Sequence, residues 1–470
     1  MKRAILAGPL LGALAFPASA PAHGIAQRAD LPIPAWLFAW GAALVLIASF
    51  IALSLLWPRP KLAHVRERTL LHVPAALEVL CGAIGIAAFA AVVYAGLAGY
   101  QTPTANLAPT TIFVLFWVGL PFLSVLFGDV FAAFNPWRAV ARAVAWLAQR
   151  AAPGGLPKPM AYPERVGRWP AAAGIFAFVW LELVYVNRDQ PSTLAVLALA
   201  YAAVMLVGMS LYGIETWTRN ADAFAVTFSL YALLSPLHWR QRRLGLRPPL
   251  VGAPGMPTVA GSVALVCVMI GTTSFDGFSQ GAVWTGESGL AERFTSVFTG
   301  LGLGQSTAVQ AGYTLGVLLV ITIVSALYWL GVAGMRSVGR DHSTADLAQR
   351  FAHTLIPISL AYLVAHYFSL LLFQGQAIGF LISDPLGQGA DLFGTANRTI
   401  DYNLISANGI WYAQVAALLA GHICGLVLAH DRALSIWRDP RTATRSQYWM
   451  LLVMVTYTCL GLWLLSSASQ

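Results

Sequence analysis

The sequence predicts an all-α polytopic transmembrane helix bundle, with about ten spans behind a cleaved signal peptide. Three observations carry this. Of the 470 residues, 58% are hydrophobic and 10% are charged, whereas a soluble chain needs about a quarter of its residues charged. Apolar runs of roughly 18 or more residues recur along the whole length, each enough to cross a hydrocarbon core about 30 Å thick. The basic residues fall in short segments between those runs, which is the pattern of cytoplasmic loops. In lipid such runs must be helical, because no water is present to satisfy an open backbone.

The chain starts as an export signal does. Lys2 and Arg3 precede an apolar stretch from Ala4 to Phe16, and a small-residue region ends at Ala20-Pro21-Ala22. Residues 1–22 are therefore expected to leave, so that 23–470 forms a single transmembrane domain beginning at His23. An uncleaved first helix is the alternative.

Spans are then expected at 34–57, 76–98, 110–131, 170–187, 193–215, 256–275, 309–333, 351–373, 410–430 and 449–467. Charge sets their direction. Of 28 Lys and Arg, Lys2 and Arg3 leave with the signal and Arg28, Arg188, Arg293 and Arg398 lie on one side, so 22 crowd the other. The positive-inside rule makes that crowded side the cytoplasm. Both mature termini then lie on the periplasmic side of a bacterial inner membrane. The segment 221–237 (FAVTFSLYALLSPL at its heart) is too short to span. With Arg219 before it and Arg240, Arg242 and Arg243 after it, it is expected to be a re-entrant or interfacial helix.

The formal charge of +9 does not imply nucleic acid, since no folded basic face is available. Cys81, Cys267, Cys424 and Cys459 all fall in apolar runs, with no metal-type spacing, so a disulfide framework is not expected. No P-loop, GxSxG, HExxH or His-x-His motif is present. The sequence leaves the oligomeric state open.

Two long outer loops, at 276–308 and 374–409, are rich in Gly, Phe, Ser and Asp, and loops of this length are usually packed or functional. Asp30, Glu182, Asp189, Asp276, Glu287, Glu292, Asp384, Asp391 and Asp401 lie on or near the outer face, which is therefore acidic and suits cations. Solvated loop carboxylates are the plain alternative. Among nine histidines, His366 and His422 are intramembrane, where ionisable residues tend to mark function. His366 sits on a partly polar stripe with Tyr362, Ser369, Phe373 and Gln376. His422 adjoins a ridge of small residues, Ala413, Ala417, Gly421, Gly425 and Ala429, which predicts close helix packing. His23, if it becomes the N-terminus, can chelate copper through its amine and ring.

Four stretches together, HGIAQRADLPIPAWLFAW (23–40), LFWVGLPFLSVLFGDVFAAFNPWR (115–138), LFGTANRTIDYN (392–403) and WYAQVAALLAGHICGLVLAHDRA (411–433), resemble a family of bacterial membrane proteins catalogued as fenitrothion hydrolases. The resemblance implies hydrolysis of an apolar organophosphate triester at the outer membrane face, with a water activated near neutral pH and a divalent metal ion as an expected cofactor. It transfers no catalytic residue. On physical grounds the catalytic set is expected in His366, Asp391 and Asp401. Asn397, Tyr402 and Gln376 are placed against the substrate, and His366, His422, Asp384 and His23 are candidate metal ligands. The competing expectation is a cation or copper permease, and a third is a membrane scaffold without catalysis. The partners implied are the lipid bilayer and either an apolar small molecule or a metal cation.

Overall fold

A computed structural model describes residues 35–62, 65, 67–151, 157–240, 242–338, 341–437 and 439–467. The expected signal peptide and His23 lie outside the described residues.

Eight helices among the described residues are long and apolar enough to cross a membrane. They are α1 (Ala35–Leu56), α2 (Ala75–Ala98), α3 (Leu107–Phe127), α6 (Pro191–Tyr212), α8 (Ser262–Ser279), α10 (Gln305–Met335), α11 (Ile356–Gln374, inside a longer apolar stretch Thr344–Leu381) and α12 (Ala407–Ile436). The remaining helices that matter here are the amphipathic α4 (Pro136–Ala151), the apolar 15-residue α5 (Trp169–Leu183), the 10-residue α7 (Ala223–Ala232), α9 (Leu290–Gly300) and the 20-residue α13 (Tyr448–Ser467). Each expected span thus coincides with a helix, although α5 is short for a crossing.

Helix α8 is the centre of the bundle. Of its apolar window 78% is buried, against 17% for that of α1, and it packs on α5, α10 and α11. The most extensively packed pair is α11 with α12. Here the small-residue ridge does what the sequence predicted: a Cβ at Gly421 would stand 2.3 Å from the Ala361 Cβ and 2.6 Å from the Pro357 carbonyl oxygen. Only glycine permits that approach.

Connections far apart in sequence meet at the two ends of the bundle. At the basic end, β1 (Arg68–His72) joins an antiparallel three-stranded sheet in the order β1-β3-β2, with β2 (Leu237–Arg240) and β3 (Arg243–Leu246). The Asp431 Oδ1 accepts the Lys61 and Leu62 backbone N–H groups at 2.6 and 3.2 Å, and Arg432 donates to the Pro254 carbonyl at 2.7 Å. At the opposite end, Tyr100 N–H donates to Leu386 O at 2.8 Å, and Ser192 N–H donates to the Gln101 Oε1 at 3.0 Å. This grouping of connections matches the one that the charge bias predicted. The sheet is an addition to the all-helical expectation.

The segment 221–237 forms α7, which is almost wholly buried against α3 and α5. Its N-cap, Asp222, is fully buried and receives four donors: Ala225 N–H at 3.1 Å, Asn135 Nδ2 at 3.0 Å, Trp137 Nε1 at 2.6 Å and Tyr201 OH at 2.9 Å. The cap thereby ties α7 to the FNPWR stretch that opens α4 and to the middle of α6.

Candidate functional site

The polar groups of α8 explain how a carboxylate comes to lie inside the bundle. Thr272, Thr273 and Ser274 return their hydroxyls to the carbonyls four residues earlier, at 2.7, 3.0 and 2.8 Å. An apolar helix accommodates such residues because their own backbone satisfies them. Asp276, one turn further, has no such local solution and is fully buried. Its Oδ2 accepts from Tyr367 OH at 2.8 Å and lies 2.7 Å from His366 Nε2 as an ion-pair contact, both partners being on α11. The same Tyr367 oxygen lies 3.5 Å from the Glu182 Oε1 at the end of α5.

The result is a continuous chain, Glu182–Tyr367–Asp276–His366, that joins three helices. Asp276 and Tyr367 are buried, Glu182 nearly so, and the His366 side chain retains 8% exposure as the more open end. The Glu182 Oε2 is buried with no hydrogen-bond partner among the described residues. Trp117 stands beside Tyr367. It belongs to a ten-residue π-helical stretch of α3, Thr110–Gly119, and π-helical turns are frequent at functional sites.

Buried charge in so apolar a setting is costly unless it is paired. The stable states of the His366–Asp276 pair are those in which its charges cancel, either imidazolium with carboxylate or both groups neutral. A proton passing between them changes neither the net charge nor the packing. Tyr367 brings a second carboxylate, Glu182, beside the pair, its hydroxyl 3.5 Å from Glu182 Oε1.

Most of the other sequence candidates lie elsewhere. The Asp384 carboxylate accepts the Gln388 and Gly389 N–H groups at 3.0 and 2.7 Å. The Asp391 Oδ1 accepts from Ser383 Oγ at 2.7 Å and from Ala396 N–H at 3.0 Å, and the Asp401 Oδ1 accepts from Asn403 N–H at 2.8 Å. All three carboxylates serve turns of their own loop, and Asp391 and Asp401 are exposed. The Gln376 side chain pairs with the Asp401 backbone, donating at 3.1 Å and accepting at 3.0 Å. Tyr402 rests against Phe373 with ring centroids 5.3 Å apart, and Asn397 is exposed. His422 is fully buried, with Nδ1 2.7 Å from the Leu418 carbonyl.

Among the described residues no three His, Cys, Asp or Glu side chains gather so as to hold a metal ion. His366, His422 and Asp384 therefore form no common centre here. The two acids that do join the His366 chain, Asp276 and Glu182, appeared in the sequence only as outer-face carboxylates. Tyr367 was not singled out at all. The available signal was Asp276 itself, a charge directly following the apolar run of its span. No family model, no curated protein and no solved structure matches this chain.

Proposed function

We propose that the chain is a ten-span permease of the bacterial inner membrane that couples passage of a small cation to proton transfer through the His366–Asp276 pair. The observation that carries the reading is the buried Glu182–Tyr367–Asp276–His366 chain. Intramembrane ionisable residues bonded across helices are the usual components of proton relays in pumps and transporters. In the proposed orientation the pair sits in the outer part of the bundle, since Asp276 is near the periplasmic end of α8 and His366 is eight residues from the corresponding end of α11. An acidic outer face gathers cations at its mouth.

The test uses the purified protein in liposomes that enclose a pH-sensitive dye. Gradients of Na⁺, K⁺, Zn²⁺ and Cu⁺ are imposed in turn. A cation-driven pH change that disappears in Asp276→Asn supports the permease, and its absence with all four cations rejects it.

The hydrolase reading has one observation in its favour. Asp276 lies 2.7 Å from the His366 ring, the placement of an acid beside a general-base histidine. Nitrophenol release from fenitrothion by the same purified protein, abolished in His366→Ala, would establish it in place of transport. A chelator added to that assay reports whether a metal takes part.

A further inference from the structure

We propose that the basic end of the bundle binds a phosphate group, from an anionic lipid head group or from free phosphate, between Arg168 and the N-termini of α5 and α8. The two helix starts abut there. Arg168 is the N-cap of α5 and Gly261 the N-cap of α8, and neither helix has a side-chain cap. The Arg168 N–H donates to the Ala260 carbonyl at 2.7 Å. Gly261 has a φ of +79°, and a Cβ on it would stand 2.5 Å from the Trp169 nitrogen. Only glycine lets the two starts come so close.

What this arrangement lacks is negative charge. Each helix start carries about half a positive charge, and the guanidinium adds a whole one. Arg168 is 4% exposed and Ser262 is fully buried. The Arg168 Nη1 donates to the Ser262 Oγ at 3.3 Å, which sets the guanidinium over the first turn of α8. The Arg168 Nε is buried without a hydrogen-bond partner among the described residues, and no carboxylate among them offsets the burial of this cation. A buried ion left unpaired is strongly unfavourable.

A water would meet the Nε–H but bring no charge, whereas an oxyanion does both. The carbonyls at hand are already taken, Val259 O by the Ser262 N–H at 3.1 Å and Ala260 O by Arg168. The Ser262 hydroxyl accepts from Arg168 and keeps its own hydrogen to give. Guanidinium, hydroxyl and helix-start amides therefore face the site as donors. Arginine matches the geometry of phosphate, and helix N-termini are ready anion sites. The neighbouring Trp169 is 56% exposed, the placement of an aromatic anchor at the level of lipid head groups. Basic pockets between helices on the cytoplasmic side hold anionic head groups, and in the proposed orientation this end is cytoplasmic. The site lies about 21 Å along α8 from Asp276 and owes nothing to the permease or the hydrolase reading.

The test is native mass spectrometry of the purified full-length protein in detergent with phosphatidylglycerol, and with diacylglycerol as the same lipid without its phosphate. Inorganic phosphate is measured separately by equilibrium dialysis. One tightly held phosphate-bearing ligand per chain is expected, with at least tenfold weaker binding in Arg168→Gln. Retention of phosphatidylglycerol alone assigns the site to lipid, and retention of inorganic phosphate alone assigns it to the free anion. Hydrogen exchange on wild type locates the ligand without any variant, since protection is expected to rise at residues 262–265 when it binds. Four results overturn the proposal: wild type that holds neither ligand, diacylglycerol held as tightly as phosphatidylglycerol, a folded Arg168→Gln protein that binds as wild type does, and binding that leaves exchange at 262–265 unchanged.

Discussion

Asp222 and Asp276 are both fully buried carboxylates, and they are employed in opposite ways. Asp222 is met by an indole N–H, an amide, a phenol and a backbone N–H, with no imidazole among these donors. Asp276 is met by an imidazole, and by a phenol that also reaches a second carboxylate. The first arrangement fixes one state of the group. The second is the arrangement on which the proposed proton transfer rests. Burial of a charge is therefore uninformative about function until its partners are known.

Removing each carboxylate should separate the two roles. Asp222→Ala leaves four donors without an acceptor. At about 1–3 kcal/mol for each, the loss is on the order of 4 kcal/mol or more. The expected outcome is collapse of folded protein, read as loss of the monodisperse peak in fluorescence-detected size exclusion. A folded Asp222→Ala protein with normal melting would erase the contrast. Asp276→Asn, by comparison, should fold, because the amide still accepts a hydrogen bond. Its activity should fall at least about 100-fold, the scale of a lost acid–base group. If it unfolds as Asp222→Ala does, the Asp276 chain is structural.

Tyr367→Phe probes the same chain more gently. It deletes the hydroxyl between Glu182 and Asp276 but leaves the His366–Asp276 pair. About a tenfold loss is expected, together with a changed pH profile and unchanged thermal stability. A loss equal to that of Asp276→Asn would make the phenol, and not the imidazole, the essential partner.

The difference between the two carboxylates was not legible in the sequence, and the reason is geometric. Apolar run length and the distribution of Lys and Arg placed an apolar helix at each expected span and grouped the connections by end, because both signals are one-dimensional, whereas the amphipathic α4 and α9 were not expected. Depth along a span is one-dimensional too, which is how His366 was found. The partner of a side chain depends on which face of its helix it occupies and on what packs there. Asp276 fell one residue beyond the expected span, and it was counted with the loop acids. His366 and Tyr367 are adjacent in sequence, and no periodic stripe contains both, yet one carboxylate oxygen lies 2.7 Å from the first and 2.8 Å from the second. The sheet was missed for a similar reason. Its strands are four or five residues long, and β1 pairs with a partner about 170 residues away.

The smallest effect is expected in the outer loop, where the sequence favoured Asp391 as catalytic. There the Ser383 hydroxyl and then the Ala396 N–H hold the Asp391 carboxyl below the usual carboxylate range. A lowered folded value means that its contribution to loop stability is present above the unfolded value, about 4. It is lost as pH falls below that point and through the folded value. Asp391→Ala should therefore leave transport or hydrolysis at the wild-type level and lower only the hydrogen-exchange protection around Ala396, corrected for intrinsic rates. Wild type should lose the same protection below about pH 4, whereas the variant should show no such step. If Asp391→Ala instead abolishes activity as Asp276→Asn does, a carboxylate bound to its own turn is also doing chemistry. The division between groups that hold the fold and groups that move a proton would then fail at its exposed end.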